Sequence, residues 1–147
     1  MQAKQIVFPR PNEVELQSFE FDLAATKPTD VVIRTHYSLI SPGTELACLS
    51  GRESWAKLPF VPGYAGCGEV LAVGSEAKGI RAGDMVFSYT KHASIVRGST
   101  LVAPLPPGLD ERKACFARMA AVSITALRVS AAELGDWVAV FGLGLVG

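Results

Sequence analysis

Up to residue 104, apolar positions alternate with polar ones or run together briefly, at 5–8, 13–19, 30–37, 67–73, 85–88 and 93–96. A period of two sends successive side chains to opposite faces of a strand. Gly and Pro punctuate these runs at Pro9, Pro11, Pro28, Pro42, Gly43, Pro62, Gly63, Gly74, Gly79, Gly83 and Gly98. Short strands at this spacing predict a mainly β domain, a barrel or compact sandwich. One short helix is predicted at 44–49, stopped by Gly51.

The pattern changes after the stiff connector Pro104-Leu-Pro-Pro-Gly108. Asp110 reads as an N-cap, and Glu111 adds negative charge to the first turn of the helix it would start. Residues 111–131 are alanine-rich and free of Gly and Pro, which predicts helix, with a break near 118–120. Gly135 and Asp136 then turn the chain into Trp137-Val-Ala-Val-Phe141, an apolar run that reads as a buried strand.

The last six residues, Gly142-Leu-Gly-Leu-Val-Gly147, spell G-x-G-x-x-G. This motif joins a strand to a helix whose first N–H groups hold a dinucleotide pyrophosphate. In it Gly142 would permit the tight turn, Gly144 close backbone approach to pyrophosphate, and Gly147 packing of helix on strand. A β-rich region followed by helix, strand and Gly-rich turn reads as the entry into a doubly wound α/β domain.

Composition narrows the partners. Lys plus Arg and Asp plus Glu number 14 each, and the charges are scattered, so nothing favours nucleic acid or an anionic membrane. No apolar stretch reaches the roughly 18 residues needed to span a bilayer, and the N-terminus lacks a secretory apolar core. A cytoplasmic location is the expectation. Cys48, Cys67 and Cys115 lie far apart with no Cys or His at metal-ligand spacing, which predicts reduced, buried thiols. His36 and His92 are expected to be hydrogen-bonded structural histidines. Glu45 and Glu69 stand as single carboxylates with no acidic partner nearby in sequence.

Several segments in a fixed order resemble the medium-chain dehydrogenase/reductase superfamily, the zinc alcohol dehydrogenases and their zinc-free relatives. Pro62-Gly-Tyr-Ala-Gly-Cys-Gly-Glu-Val-Leu-Ala-Val-Gly74 is similar to the family's P-G-H-E-x-x-G-x-V-x-x-x-G segment, and Gly83-Asp84-Met-Val86 to its G-D-x-V turn. His92-Ala-Ser-Ile-Val96 with Leu101-Val-Ala-Pro-Leu-Pro106 resembles H-A-E-Y-V…L-V-x-L-P. Ile40-Ser-Pro-Gly-Thr-Glu45 is similar to the I-S-x-G-T-E subgroup that includes bacteriochlorophyllide dehydrogenase.

The resemblance implies a GroES-like, partly open β-barrel with short helices, followed by the first strand of a truncated Rossmann α/β domain. It places a GroES-like catalytic domain at 1–118, and an interdomain helix with the start of an incomplete dinucleotide-binding domain at 119–147. It implies a parent enzyme that uses NADP or NAD on an alcohol, a carbonyl or a conjugated C=C, with a small-molecule substrate and a homodimeric state. The chain as it stands is expected to bind dinucleotide poorly and not to turn over. A non-catalytic structural or binding protein on the same fold is the alternative.

The departures concern the metal. Where the zinc enzymes carry Cys, His and Cys ligands, the resemblance places Ser41 or Pro42, Tyr64, and a residue near Ala121. These cannot supply three ligands to a tetrahedral zinc, so no zinc is expected. A hydrogen-bond donor must then stabilise charge on the reacting oxygen. Tyr64 is one candidate, unless it is packed at its turn. Thr44, matching the proton-passing hydroxyl of the zinc enzymes, is another, unless it only caps the short helix. Thr125 matches the position that approaches the nicotinamide, unless its hydroxyl bonds back to its own helix.

Overall fold

In the computed structural model, residues 1–98 and 100–147 are described. The elements among them are β1 (Gln2–Val7), β2 (Glu15–Glu20), β3 (Val31–Leu39), α1 (Pro42–Leu49), β4 (Ala65–Val73), β5 (Met85–Ser88), β6 (Ile95–Gly98), β7 (Val102–Pro104), α2 (Glu111–Ala114) and α3 (Ala117–Val129). The fold is mainly β. An antiparallel pair β1–β2 accompanies an antiparallel sheet in the order β6-β3-β4-β5-β7. Single bridges, Gln5 to Ala93 and Phe8 to Phe60, join β1 and the residue after it to the loops beyond.

The strand β3 organises the interior. Val31, Val32 and Ile33 are all buried, because this strand is covered on both faces. Val31 and Ile33 pack with Val70, Val86 and Val96, while Val32 packs with Ala3, Phe21 and Ile95. Burying each such side chain stabilises the fold by about 2 kcal/mol. A third cluster, Phe8, Cys48 and Ala56, lies under α1 and is joined by the half-buried Phe60.

The β3–β4 ladder shifts register between Thr35 and Tyr37. Gly68 pairs with Thr35 at that irregularity. A Cβ at residue 68 would collide with the Arg34 carbonyl oxygen and stand 2.9 Å from Thr35 Cα. The close approach of two backbones therefore requires glycine here.

Every apolar run up to residue 96 contains a strand, with ends displaced by a few residues. β1 begins at Gln2 because its outward side chains Gln2 and Lys4 pair across to β2 and dilute the apolar signal. β7 was not anticipated; it is three residues long, lies at the sheet edge and ends in Pro104, whose missing N–H an edge tolerates. Asp110 is the N-cap of α2, its side chain accepting from the Arg112 N–H. That hydrogen bonding with Arg112 holds the Asp110 carboxyl below the usual carboxylate range. The helical break falls at Cys115–Phe116, ahead of the expected 118–120.

The chain divides into two compact units, Met1–Cys115 and Phe116–Gly147. The second holds α3 and a tail. The expected strand at 137–141 does not form, and Trp137 and Phe141 are exposed. A strand exists only as part of a ladder, and no other segment of this unit offers one. Among the described residues, no helix is long and apolar enough to cross a membrane.

All three cysteines are free and buried. Burial first, then a hydrogen bond with Cys115, pushes the Cys67 thiol far above its ordinary value; burial likewise raises Cys48 and Cys115. The native protein should leave all three thiols unlabelled by a disulfide exchange reagent and yield three on unfolding. A thiol that ionises only when unfolded stabilises the folded state below the ordinary thiol pKa of 9.0 and loses that contribution above it. Denaturation midpoints should therefore fall above pH 9.0, with Cys67 contributing up to about 1.4 kcal/mol per pH unit. Cys67→Ala should flatten that slope. Gly68→Ala should cost about 3 kcal/mol in urea denaturation, since the clash is with backbone.

Candidate functional site

The turn from β3 into α1 builds the site. Ser41 is the N-cap of α1 and Pro42 opens its first turn, where a missing N–H costs nothing. Ser41 makes no side-chain cap bond. Instead Glu45 reaches back, and its Oε1 accepts the Ser41 backbone N–H at 2.8 Å. This is a capping box with the acid displaced by one residue. Glu45 is thereby turned inward and is buried, although it sits in an exposed first turn beside Thr44.

The second oxygen of Glu45 meets a histidine. His92 Nε2 lies 2.8 Å from Glu45 Oε2, and His92 Nδ1 lies 2.9 Å from Ser38 Oγ. The backbone clamps the imidazole in place. His92 N–H donates to the Pro62 carbonyl, and the Ile6 N–H donates to the His92 carbonyl, each at 2.9 Å. The Glu45 and His92 side chains are 11% and 8% exposed. Burying a carboxylate is costly unless its oxygens are paired, and here both are.

This network forms one wall of a pocket of about 460 Å³. The rest of the lining is apolar and includes Ile6, Phe8, Ile40, Leu46 and Pro62. An apolar cavity of this size with a few convergent polar groups is the usual form of a small-molecule site. All of its lining residues belong to the Met1–Cys115 unit.

The residues singled out from sequence lie elsewhere. Thr44 is exposed in the first turn of α1 and does not cap it. Tyr64 is half-buried immediately before β4. Neither lines the pocket, though Thr44 precedes Glu45, which does, and Tyr64 lies two residues after Pro62, which does. Thr125 is exposed on α3, and its hydroxyl donates to the Ala121 carbonyl at 2.7 Å, the helix-bonding alternative. Gly142 has a φ of 90°, the left-handed turn that its place in the motif requires. Gly144 has open space around it, and Gly147 lies against the Gly142 carbonyl. Residues 142–147 are here bends and irregular backbone.

His36 is satisfied as expected, its Nδ1 being 2.9 Å from Glu111 Oε2, which ties β3 to α2. His92 is also satisfied, at both nitrogens, but in a pocket wall. Sequence reasoning missed its partner because Glu45 lies 47 positions away. The available signal was an acid four residues after a serine at a helix start, with no other reason to be buried.

Among the described residues, no three His, Cys, Asp or Glu side chains come together in a way that could hold a metal ion. Ser41 and Pro42, the residues that the resemblance sets at one ligand place of the zinc enzymes, are the N-cap and first residue of α1.

The fold and this site define a class, and comparison with known proteins places the chain in it. Residues 27–127 match the alcohol dehydrogenase GroES-like domain, and the chain belongs to that family. Similar folds include the human synaptic vesicle membrane protein VAT-1 homolog-like protein, at 21% identity and a TM-score of 0.78, covering 92% of this chain and 46% of that one. The quinone oxidoreductase from Coxiella burnetii matches at 19% identity and a TM-score of 0.80, covering 92% and 47%. CAD from Helicobacter pylori, solved in complex with NADP(H), matches at 14% identity and a TM-score of 0.76, covering 88% and 49%. The chain thus spans less than half the length of these structures. No curated protein matches it significantly.

Removing one partner of a buried hydrogen-bonded pair strands the other. Glu45→Ala should cost about 3 kcal/mol by chemical denaturation, whereas Thr44→Ala, on the exposed face of the same turn, should change stability by less than about 0.5 kcal/mol.

Proposed function

We propose that this chain is the catalytic-domain part of a longer, zinc-independent, NAD(P)-dependent oxidoreductase. It acts on an alcohol, a carbonyl or a conjugated C=C, within the subgroup carrying I-S-x-G-T-E. The observation that carries this reading is the pocket itself, an apolar cavity whose polar end is made of protein side chains. It is supported by the family match, by neighbours described as quinone oxidoreductases, and by one solved with NADP(H).

In this reading the nicotinamide supplies hydride when bound, and the protein supplies orientation and hydrogen bonds to the reacting oxygen. Tyr64 and Thr44 are proposed contacts to that oxygen. Gly142, Gly144, Gly147 and Thr125 are proposed contacts to the dinucleotide in the longer protein.

The longer protein, incubated with NADPH and a panel of carbonyl compounds, should oxidise cofactor and contain well under one equivalent of zinc. Tyr64→Phe should lower turnover by roughly tenfold or more, the scale of one lost general-acid or oxyanion contact. Stoichiometric zinc, or no oxidation with any member of the panel, would overturn the reading.

A further inference from the structure

The Ser38–His92–Glu45 chain has two hydrogen-bonding states. With a neutral imidazole, Nε2–H donates to the Glu45 carboxylate, and Nδ1 accepts the Ser38 hydroxyl proton across 2.9 Å. Ser38 Oγ then offers only lone pairs to the pocket. With one more proton, the imidazolium donates from both nitrogens. Nδ1–H donates to Ser38 Oγ, and the Ser38 hydroxyl proton is free to point elsewhere. Ser38 is exposed, and it lines the pocket with the other two members.

We propose that Ser38, backed by His92 and Glu45, is the oxygen-recognising end of this pocket and handles the proton that, together with the hydride carried by a nicotinamide in the oxidoreductase reading, separates a carbonyl ligand from its alcohol. The ligand class is an uncharged, largely apolar molecule with one such oxygen. Protonated, the network donates from Ser38 to a carbonyl. When an alcohol is oxidised, the hydride on its carbon goes to the oxidised nicotinamide, and its hydroxyl proton passes to Ser38 Oγ while the Ser38 proton passes to His92 Nδ1. One O–H bond breaks at the ligand, one N–H bond forms at His92, and Ser38 ends unchanged.

The surroundings set the class. The rest of the pocket lining contains no cation, and the buried Glu45 carboxylate stands in the wall, so a carboxylate or phosphate ligand is repelled. Ile6, Phe8, Ile40 and Leu46 leave the hydroxyls of a sugar without partners. Of the titratable groups facing the network, Glu45 on α1 touches His92 directly. Cys48 follows on the same helix, its thiol kept neutral by burial and then by the nearby Glu53 and Glu45 carboxylates. From β1 and the loop before β4 the pocket receives Ile6, Phe8 and Pro62, none of which titrates. Lys91, the chain neighbour of His92, is exposed.

The inference deepens the oxidoreductase reading, yet it can be tested on this chain without cofactor. Cyclohexanone, cyclohexanol and cyclohexanecarboxylate are titrated while amide NMR shifts of pocket residues are followed across pH. Cyclohexanone should bind more tightly at the acid end and cyclohexanol at the alkaline end, with the carboxylate not binding. Ser38→Ala, at an exposed position, should keep the fold. It should weaken cyclohexanone by about tenfold, one hydrogen bond's worth. His92→Gln should leave a ketone-to-alcohol ratio that no longer moves with pH. A pH-independent ratio in the wild type, or ketone affinity unchanged in Ser38→Ala, overturns the proposal. Failure of the longer protein to oxidise NADPH would overturn the oxidoreductase reading alone.

Discussion

The burial of β3 on both faces is the constraint from which the rest follows. A one-residue slip turns a strand with one buried face inside out, and in a strand that fills two cores it disrupts both at once. Val31 and Ile33 commit to one cluster and Val32 to the other, so a shift by one residue would exchange every contact. That register carries through the irregularity opposite Gly68 to the far end of the strand, where Ser38 stands. The position of one hydroxyl in the pocket wall is thus set by valines several residues upstream.

A second constraint fixes the other half of the site. Glu45 satisfies the backbone at the start of α1 with one oxygen and His92 with the other. Local helix geometry and a contact 47 positions distant are therefore held by the same carboxylate. Such a group is expensive to bury, and its persistence in a fold is explained by having both oxygens engaged. The imidazole is further clamped through its own backbone by Pro62 and Ile6. The result is a side-chain chain of fixed length and order, with only its Ser38 end exposed.

Much of the fold was legible in the chain because the β signals are local. Alternation and Gly/Pro punctuation marked each strand up to residue 96, and Asp110 marked a helix start by its own capping chemistry. The short edge strand β7 left too few positions for a period to register. The run at 137–141 shows the opposite failure. Its residues have strand character, but strand formation depends on a partner, which composition does not reveal. The site was less legible still. Tyr64 and Thr44 stood out through family motifs, whereas Ser38, Glu45 and His92 come from three separate segments that only the folded sheet unites. Each alone looks ordinary.

A polar end built of side chains constrains chemistry differently from a metal. A bound zinc stabilises negative charge on oxygen without regard to where the proton goes. A serine–histidine–glutamate chain does so only by moving a proton, so on the proposed reading its charge state and the ligand's oxidation state are coupled. A site that must accept a carbonyl in one direction and an alcohol in the other needs a group that can both take and give a proton, and an imidazole hydrogen-bonded at both nitrogens is built to do so.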